Sequence, residues 1–124
     1  MARGEIRIIA GIHKGMKLKV AQIEGLRPTP DRVRETLFNW LGAFVERAVC
    51  LDVFAGSGAL GFEAVSRGAE KVVLLEKNPA LVSVLKRNAQ HFTAAAQVVQ
   101  VYDSIAWLQA GQLTLLFRSL PHSI

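Results

Sequence analysis

Residues 51–61, LDVFAGSGALG, place Gly56, Gly58 and Gly61 in the order G-x-G-x-x-G directly after an apolar run that carries one acid, Asp52. Glycines so spaced let a backbone approach a ligand closely, or let a helix pack tightly on a strand. The ligand can be the pyrophosphate of a dinucleotide, the phosphates of a nucleotide, or a small cofactor without phosphate. Glu76 stands twenty residues after Gly56. A carboxylate at that point can accept hydrogen bonds from both hydroxyls of a ribose; its other use is as a solvated strand-end acid beside Lys77. Asp103, within VYDS, offers a third carboxylate, either to an exocyclic amine of a nucleobase or, like Ser104, as a cap for the helix after it.

These residues need a framework. The apolar block AVCLDVFA (48–55) predicts a buried strand ending at the glycines, and GALGFEAVSRG (58–68) a helix ending at Gly68. KVVLLEKN (71–78) is the next strand, followed by a helix from Pro79 to His91 with the proline in its first turn. QVVQVYDS (97–104), SIAWLQAG (104–111) and LTLLF (113–117) read as strand, short helix and strand. Alternation of this kind is the mark of a parallel sheet wound with helices, in which ligands bind beyond the carboxyl ends of the central strands. Asp52 then separates the ligand classes. A dinucleotide fingerprint keeps that strand apolar, whereas a cationic cofactor gains from a nearby carboxylate. The aspartate tilts the reading towards S-adenosylmethionine; alternatively it ties down amides of the loop.

Upstream, EIRIIAGIHKGMKLKV (5–20) predicts a hairpin of two short strands. Residues 1–20 hold five basic side chains (Arg3, Arg7, Lys14, Lys17, Lys19) against Glu5, so the hairpin is either a polyanion-binding surface or simply a solvated one. Pro28 and Pro30 delay the next helix to Asp31, with Thr29 or Asp31 as its cap. Its predicted inner face over 31–45 is Val33, Leu37, Phe38, Leu41 and Val45. Trp40 and Trp107 are assigned to core or interface, and His13 and His91 to solvent.

A chain of 124 residues with 51% hydrophobic and 20% charged side chains is expected to form one folded domain. The N-terminus has no signal-peptide run and the longest apolar region, Ala48 to Val65, is broken by Asp52 and Glu63, so a cytoplasmic, non-membrane protein is expected. The single thiol, Cys50, reads as a small buried hydrophobe, and no metal site is expected.

RIIAGIHKGMKLKV, GLRPTPDRVRETLFNWL, LDVFAGSGALGFEAVSRGA and VVLLEKN, in that order and spacing, resemble the bacterial small-subunit ribosomal RNA guanine-N2 methyltransferases of the RsmD family. RPTPDRVRETLFN is the most specific stretch. The resemblance implies a Rossmann-like class I sheet preceded by a basic hairpin, S-adenosylmethionine as donor, and 16S rRNA in an assembling 30S subunit as partner, the complete protein acting as a monomer. It further implies that Asp52, Gly56, Ser57 and Gly58 form the cofactor loop, that Glu76 holds the ribose and that Asp103 faces the adenine. Arg27, Pro28, Thr29 and Arg34 would belong to a lid over cofactor and base, and Lys14, Lys17 and Lys19 would meet RNA phosphate.

In amino-methylating members an Asp/Asn-Pro-Pro-Tyr/Phe loop after the fourth strand holds the flipped base. Here LTLLF is followed by Arg118, Ser119, Leu120 and Pro121. The expectation is therefore a single domain, 1–124, with hairpin (1–20), RPTP loop and helix (21–47), partial sheet (48–117) and an aberrant tail (118–124). Such a chain is truncated or frame-shifted, has no assignable catalytic residue, and methylates poorly or not at all. The other readings are a non-catalytic RNA- or ribosome-binding remnant and, from the glycine string alone, a nicotinamide-dependent oxidoreductase, against which Asp52 and RPTPDRVRE argue.

Overall fold

The computed structural model describes residues 4–21, 23, 26, 29–53, 55–92 and 95–100, and the backbone of 115–118. The hairpin is present as β1 (Glu5–Arg7) paired antiparallel with β2 (Lys17–Lys19), Ile6 opposite Leu18. The strands β3 (Val49–Val53), β4 (Lys71–Glu76), β5 (Ala96–Gln100) and β6 (Leu115–Arg118) form a parallel sheet in the order β5-β4-β3-β6. Helices α2 (Ala59–Ser66) and α3 (Pro79–Ala89) are the crossovers from β3 to β4 and from β4 to β5. The strand order reverses between β3 and β6, which puts the switch point at the end of β3, where the glycines lie. Arg118 belongs to β6, so the strand runs one residue beyond the predicted LTLLF.

Parallel strands carry apolar residues on both faces because both are covered. Cys50, Val72 and Leu74 on one face join Phe62, Ala64 and Val65 of α2, and Ile6, Ile8, Leu18 and Val20 of the hairpin, in one core cluster. Leu51, Val53, Val73 and Leu75 gather on the other face. Cys50 is buried, and its thiol is pushed up to about 11 by that burial and by Asp52. Period-two alternation puts Asp52 and Glu76 on the same face as Cys50 and Leu74, beneath α2.

Helix α3 begins as expected at Pro79, with the Asn78 side chain accepting the Ala80 and Leu81 amides at 2.9 and 3.4 Å. Helix α1 (Asp31–Leu41) departs from expectation. It gives way to a 3-10 turn over Gly42–Val45, its N-cap is Pro30, and Asp31 bonds Arg34 instead of a free amide. Of its predicted inner face, Phe38 and Val45 are buried and Leu37 and Leu41 pack half-buried against the same core, but Val33 is 55% exposed and the fully buried Arg34 joins that face. The Arg34 side chain points inward to bond the hairpin, while Val33, Trp40 and Phe44 lie at the surface. Trp40 is 83% exposed, which removes it from the core. His13 is half-buried and meets Phe92 edge to face at 4.8 Å, whereas His91 is exposed as expected.

Gly58 has φ +80°, and a Cβ there would lie 2.5 Å from the Phe62 ring and 2.8 Å from Leu85. Gly58→Ala is therefore expected to cost about 1–3 kcal/mol through strain and overpacking, read as a lower midpoint in urea unfolding.

Candidate functional site

Asp52 and Glu76 end up on either side of the glycine loop, each 1% exposed. Asp52 Oδ2 accepts the Gly61 amide of α2 at 3.1 Å, while its Oδ1 is buried without a hydrogen-bond partner among the described residues. A Cβ on Gly61 would stand 3.2 Å from Oδ2 and 2.9 Å from Leu74, so this glycine serves the seating of α2 on β3 and β4. Glu76 is better provided for. Its Oε1 accepts the Gly56 amide at 3.0 Å, and its Oε2 the amides of Lys77 and Asn78 at 3.1 and 3.0 Å. Ser57 Oγ accepts the Ala59 amide at 3.3 Å, and Gly56 takes φ +59°, which completes the turn from β3 into α2. Among the described residues no cationic side chain pairs with either carboxylate. Burial pushes the Asp52 carboxyl up to about 8; the Gly61 amide opposes the rise and the nearby Glu76 charge adds to it.

The far end of α2 holds the hairpin. Glu63, fully buried, accepts the amides of Ile9 and Ala10 at 3.0 and 3.1 Å through its two oxygens, and Arg67 Nε at 2.8 Å. Ser66 Oγ donates to Ala10 O at 2.6 Å and accepts the His13 amide at 3.0 Å. Asn88 of α3 adds a bond to Lys19 O at 2.7 Å. Arg34 completes the joint. Its Nη2 donates to Arg7 O at 2.7 Å and to Asp31 at 2.8 Å, and its Nε lies 3.6 Å from Glu63. Burial pulls this guanidinium below its ordinary value, opposed by Glu63 and Asp31.

Of the sequence-derived site residues, Asp52, Gly56, Ser57, Gly58 and Glu76 come together at the end of β3. Lys14, Lys17 and Lys19 are exposed along the hairpin, and Thr29 is half-buried before α1. Arg34 is a correction: a side chain with no exposed surface that is spent on the Arg7 carbonyl, Asp31 and Glu63 cannot reach RNA, and it braces the hairpin instead. Arg27, Pro28, Asp103 and Trp107 lie outside the described residues. Sequence reasoning missed Glu63 and Ser66 as the hairpin's anchors; a glutamate in the apolar run ALGFEAV was the available signal.

A family model described as conserved hypothetical protein 95 matches residues 6–117. The chain is 56% identical over 121 residues to the ribosomal RNA small subunit methyltransferase D of Escherichia coli K12, covering 98% of this chain and 58% of that protein. The Haemophilus influenzae protein of the same name is 53% identical over 102 residues, covering 82% of this chain and 53% of its own. The chain thus spans a little over half the length of these relatives. A solved structure of a putative methyltransferase from Escherichia coli superposes with TM-score 0.76 at 49% identity, over 85% of this chain and 57% of that one. The fold is a partial Rossmann-like class I methyltransferase sheet with an N-terminal hairpin, and a methyltransferase of this kind requires a methyl donor. With the family model covering nearly the whole chain, this protein belongs to the conserved hypothetical protein 95 family, alongside the small-subunit ribosomal RNA methyltransferases D.

Proposed function

We propose that residues 1–124 form the donor-binding and RNA-docking part of a cytoplasmic methyltransferase that uses S-adenosylmethionine to modify the N2 of a guanine in 16S rRNA of the 30S subunit. The observation that carries this reading is the pair of buried carboxylates, Asp52 and Glu76, around a glycine loop at the switch point, with no paired cation among the described residues. The residues present fit a cationic donor. Among the described residues Asp52 Oδ1 is an acceptor without a partner, and Glu76 uses three of its roughly four acceptor positions on backbone amides, leaving room for one ribose hydroxyl. Asp103 faces the adenine in this reading, and Arg27 and Thr29 belong to the lid. The bound donor supplies an electrophilic methyl group; the chain's own task is to hold it with its positive charge near Asp52.

Holding the acceptor base is a separate task. A flipped guanine needs acceptors for its amino N–H groups, and the residue that follows LTLLF is Arg118, at the end of β6, whose guanidinium only donates. The chain by itself is therefore expected to bind donor and RNA but to transfer methyl groups poorly. Isothermal titration with S-adenosylmethionine tests the first half, and its failure to bind overturns the reading. Methyl transfer from labelled donor to 30S particles tests the second; efficient transfer by the 124-residue chain refutes the impairment. Retained rRNA binding without donor affinity would favour a non-catalytic RNA-binding remnant.

The hairpin's contribution is electrostatic. Replacing Lys14, Lys17 and Lys19 together by alanine is expected to weaken rRNA binding at low salt and to reduce the slope of log affinity against log salt by about 2–3. Filter binding across a salt series reads both.

A further inference from the structure

Two carboxyl groups buried around one loop, with no cation paired to either among the described residues, create a charge problem that the ligand-free protein must solve. The hydrogen bonds say how. Glu76 receives three backbone amides on its two oxygens, whereas Asp52 receives one amide on Oδ2 and, among the described residues, nothing on Oδ1. Of the two, Asp52 is the one less supplied with donors that would hold a negative charge. The described groups around it give no relief: Cys50 on β3 is a neutral thiol, Glu76 on β4 is a like charge, and α2 offers the Gly61 amide alone. The charged residue of β6, Arg118, is register-paired with Val53 and not with Asp52.

Building on the donor-binding reading above, we infer that Asp52 is protonated in the ligand-free protein and gives up its proton when the cationic donor binds, so that donor binding and proton release are one coupled event. The balance is simple. A neutral carboxyl becomes a carboxylate, the proton passes to solvent, and the new negative charge is neutralised by the donor's positive charge at the otherwise unpartnered Oδ1. Asp52 thereby acts as a specificity determinant: a neutral ligand of the same shape gains nothing from it and leaves the proton in place.

The sign follows from the raised carboxyl, at about 8 in the folded chain against an ordinary value of 3.8. Without ligand, the stability that the neutral form contributes is complete below the ordinary value and is lost as pH rises through about 8. Donor affinity moves the other way, rising by up to about tenfold per pH unit below that value and levelling above it.

The sequence has three aspartates, Asp31, Asp52 and Asp103, so carboxyl carbon NMR of aspartate-labelled protein resolves the titration directly. The resonance missing from Asp52→Asn is expected to titrate well above the other two; titration in the ordinary carboxylate range overturns the inference. Calorimetry with S-adenosylmethionine at pH 7 in buffers of different ionisation enthalpy is expected to show release of nearly one proton more for the wild type than for D52N. Equal release from both overturns the coupling while leaving the donor-binding reading intact. Absence of donor binding to the wild type overturns both, and the NMR titration then reports on the proton alone.

Discussion

Glu63→Gln is expected to cost the fold about 3–5 kcal/mol, more than any single exposed substitution would. The glutamate takes the Ile9 and Ala10 amides on separate oxygens and pairs with Arg67 and Arg34, all without solvent access of its own. Glutamine keeps the shape but has one acceptor oxygen. Its amide nitrogen would face a backbone N–H or a guanidinium, and the Arg34 charge would be left buried against Asp31 alone. Urea unfolding measures the loss, and the wild type and the variant should differ in midpoint more than in slope. Arg34→Met in the same chain is expected to recover part of it, because the second change removes the charge that the first one stranded. Strict additivity of the two losses would show that Arg34 and Glu63 do not act as a unit.

Glu76→Gln is expected to weaken donor binding by about 10–100-fold, with a smaller loss of stability. Three amides from the glycine loop and from the turn into α3 converge on this carboxylate. The substitution leaves one oxygen for them, so the Gly56 turn or the Lys77–Asn78 turn must give way, and each charge-assisted bond lost is worth about 1.5–3 kcal/mol. Calorimetric titration of the variant checks the affinity, and amide exchange at Gly56 and Asn78 tells which turn opens. Unchanged affinity with a loosened loop would mean that Glu76 shapes the turn without touching the ligand.

The sheet and its crossovers could be read in advance because parallel strands and their helices announce themselves as apolar blocks closed by glycine or proline. β3, β4, α2 and α3 fall within two residues of the bounds their composition implies. The gathering of Asp52 and Glu76 at the glycine turn was equally open to reading, since the two share a face by period-two alternation. Helix α1 was not. Periodicity counts Val33 as inward and Arg34 as outward, and only a contact with Arg7 O, distant in sequence, reverses them. The anchor at Glu63 was hidden for a similar reason: its partners Ile9 and Ala10 lie more than fifty residues away. Local pattern reveals what buries apolar surface, and it is blind to a charge that is buried because three separate elements meet on it.

The place of β6 beside β3 also governs the order in which the sheet assembles. β3 meets β4, and β4 meets β5, after short helical crossovers, but Cys50 meets Leu115 only after about 65 residues of intervening chain. Closing that longer loop costs about 1 kcal/mol more than closing one of the shorter crossovers, and it brings β6 a single neighbour among the described strands. During synthesis the three strands β3, β4 and β5 can therefore pair and seat the hairpin on α2 while β6 is still emerging. The glycine loop with Asp52 and Glu76, built wholly from β3, β4 and α2, takes shape before β6 is in place.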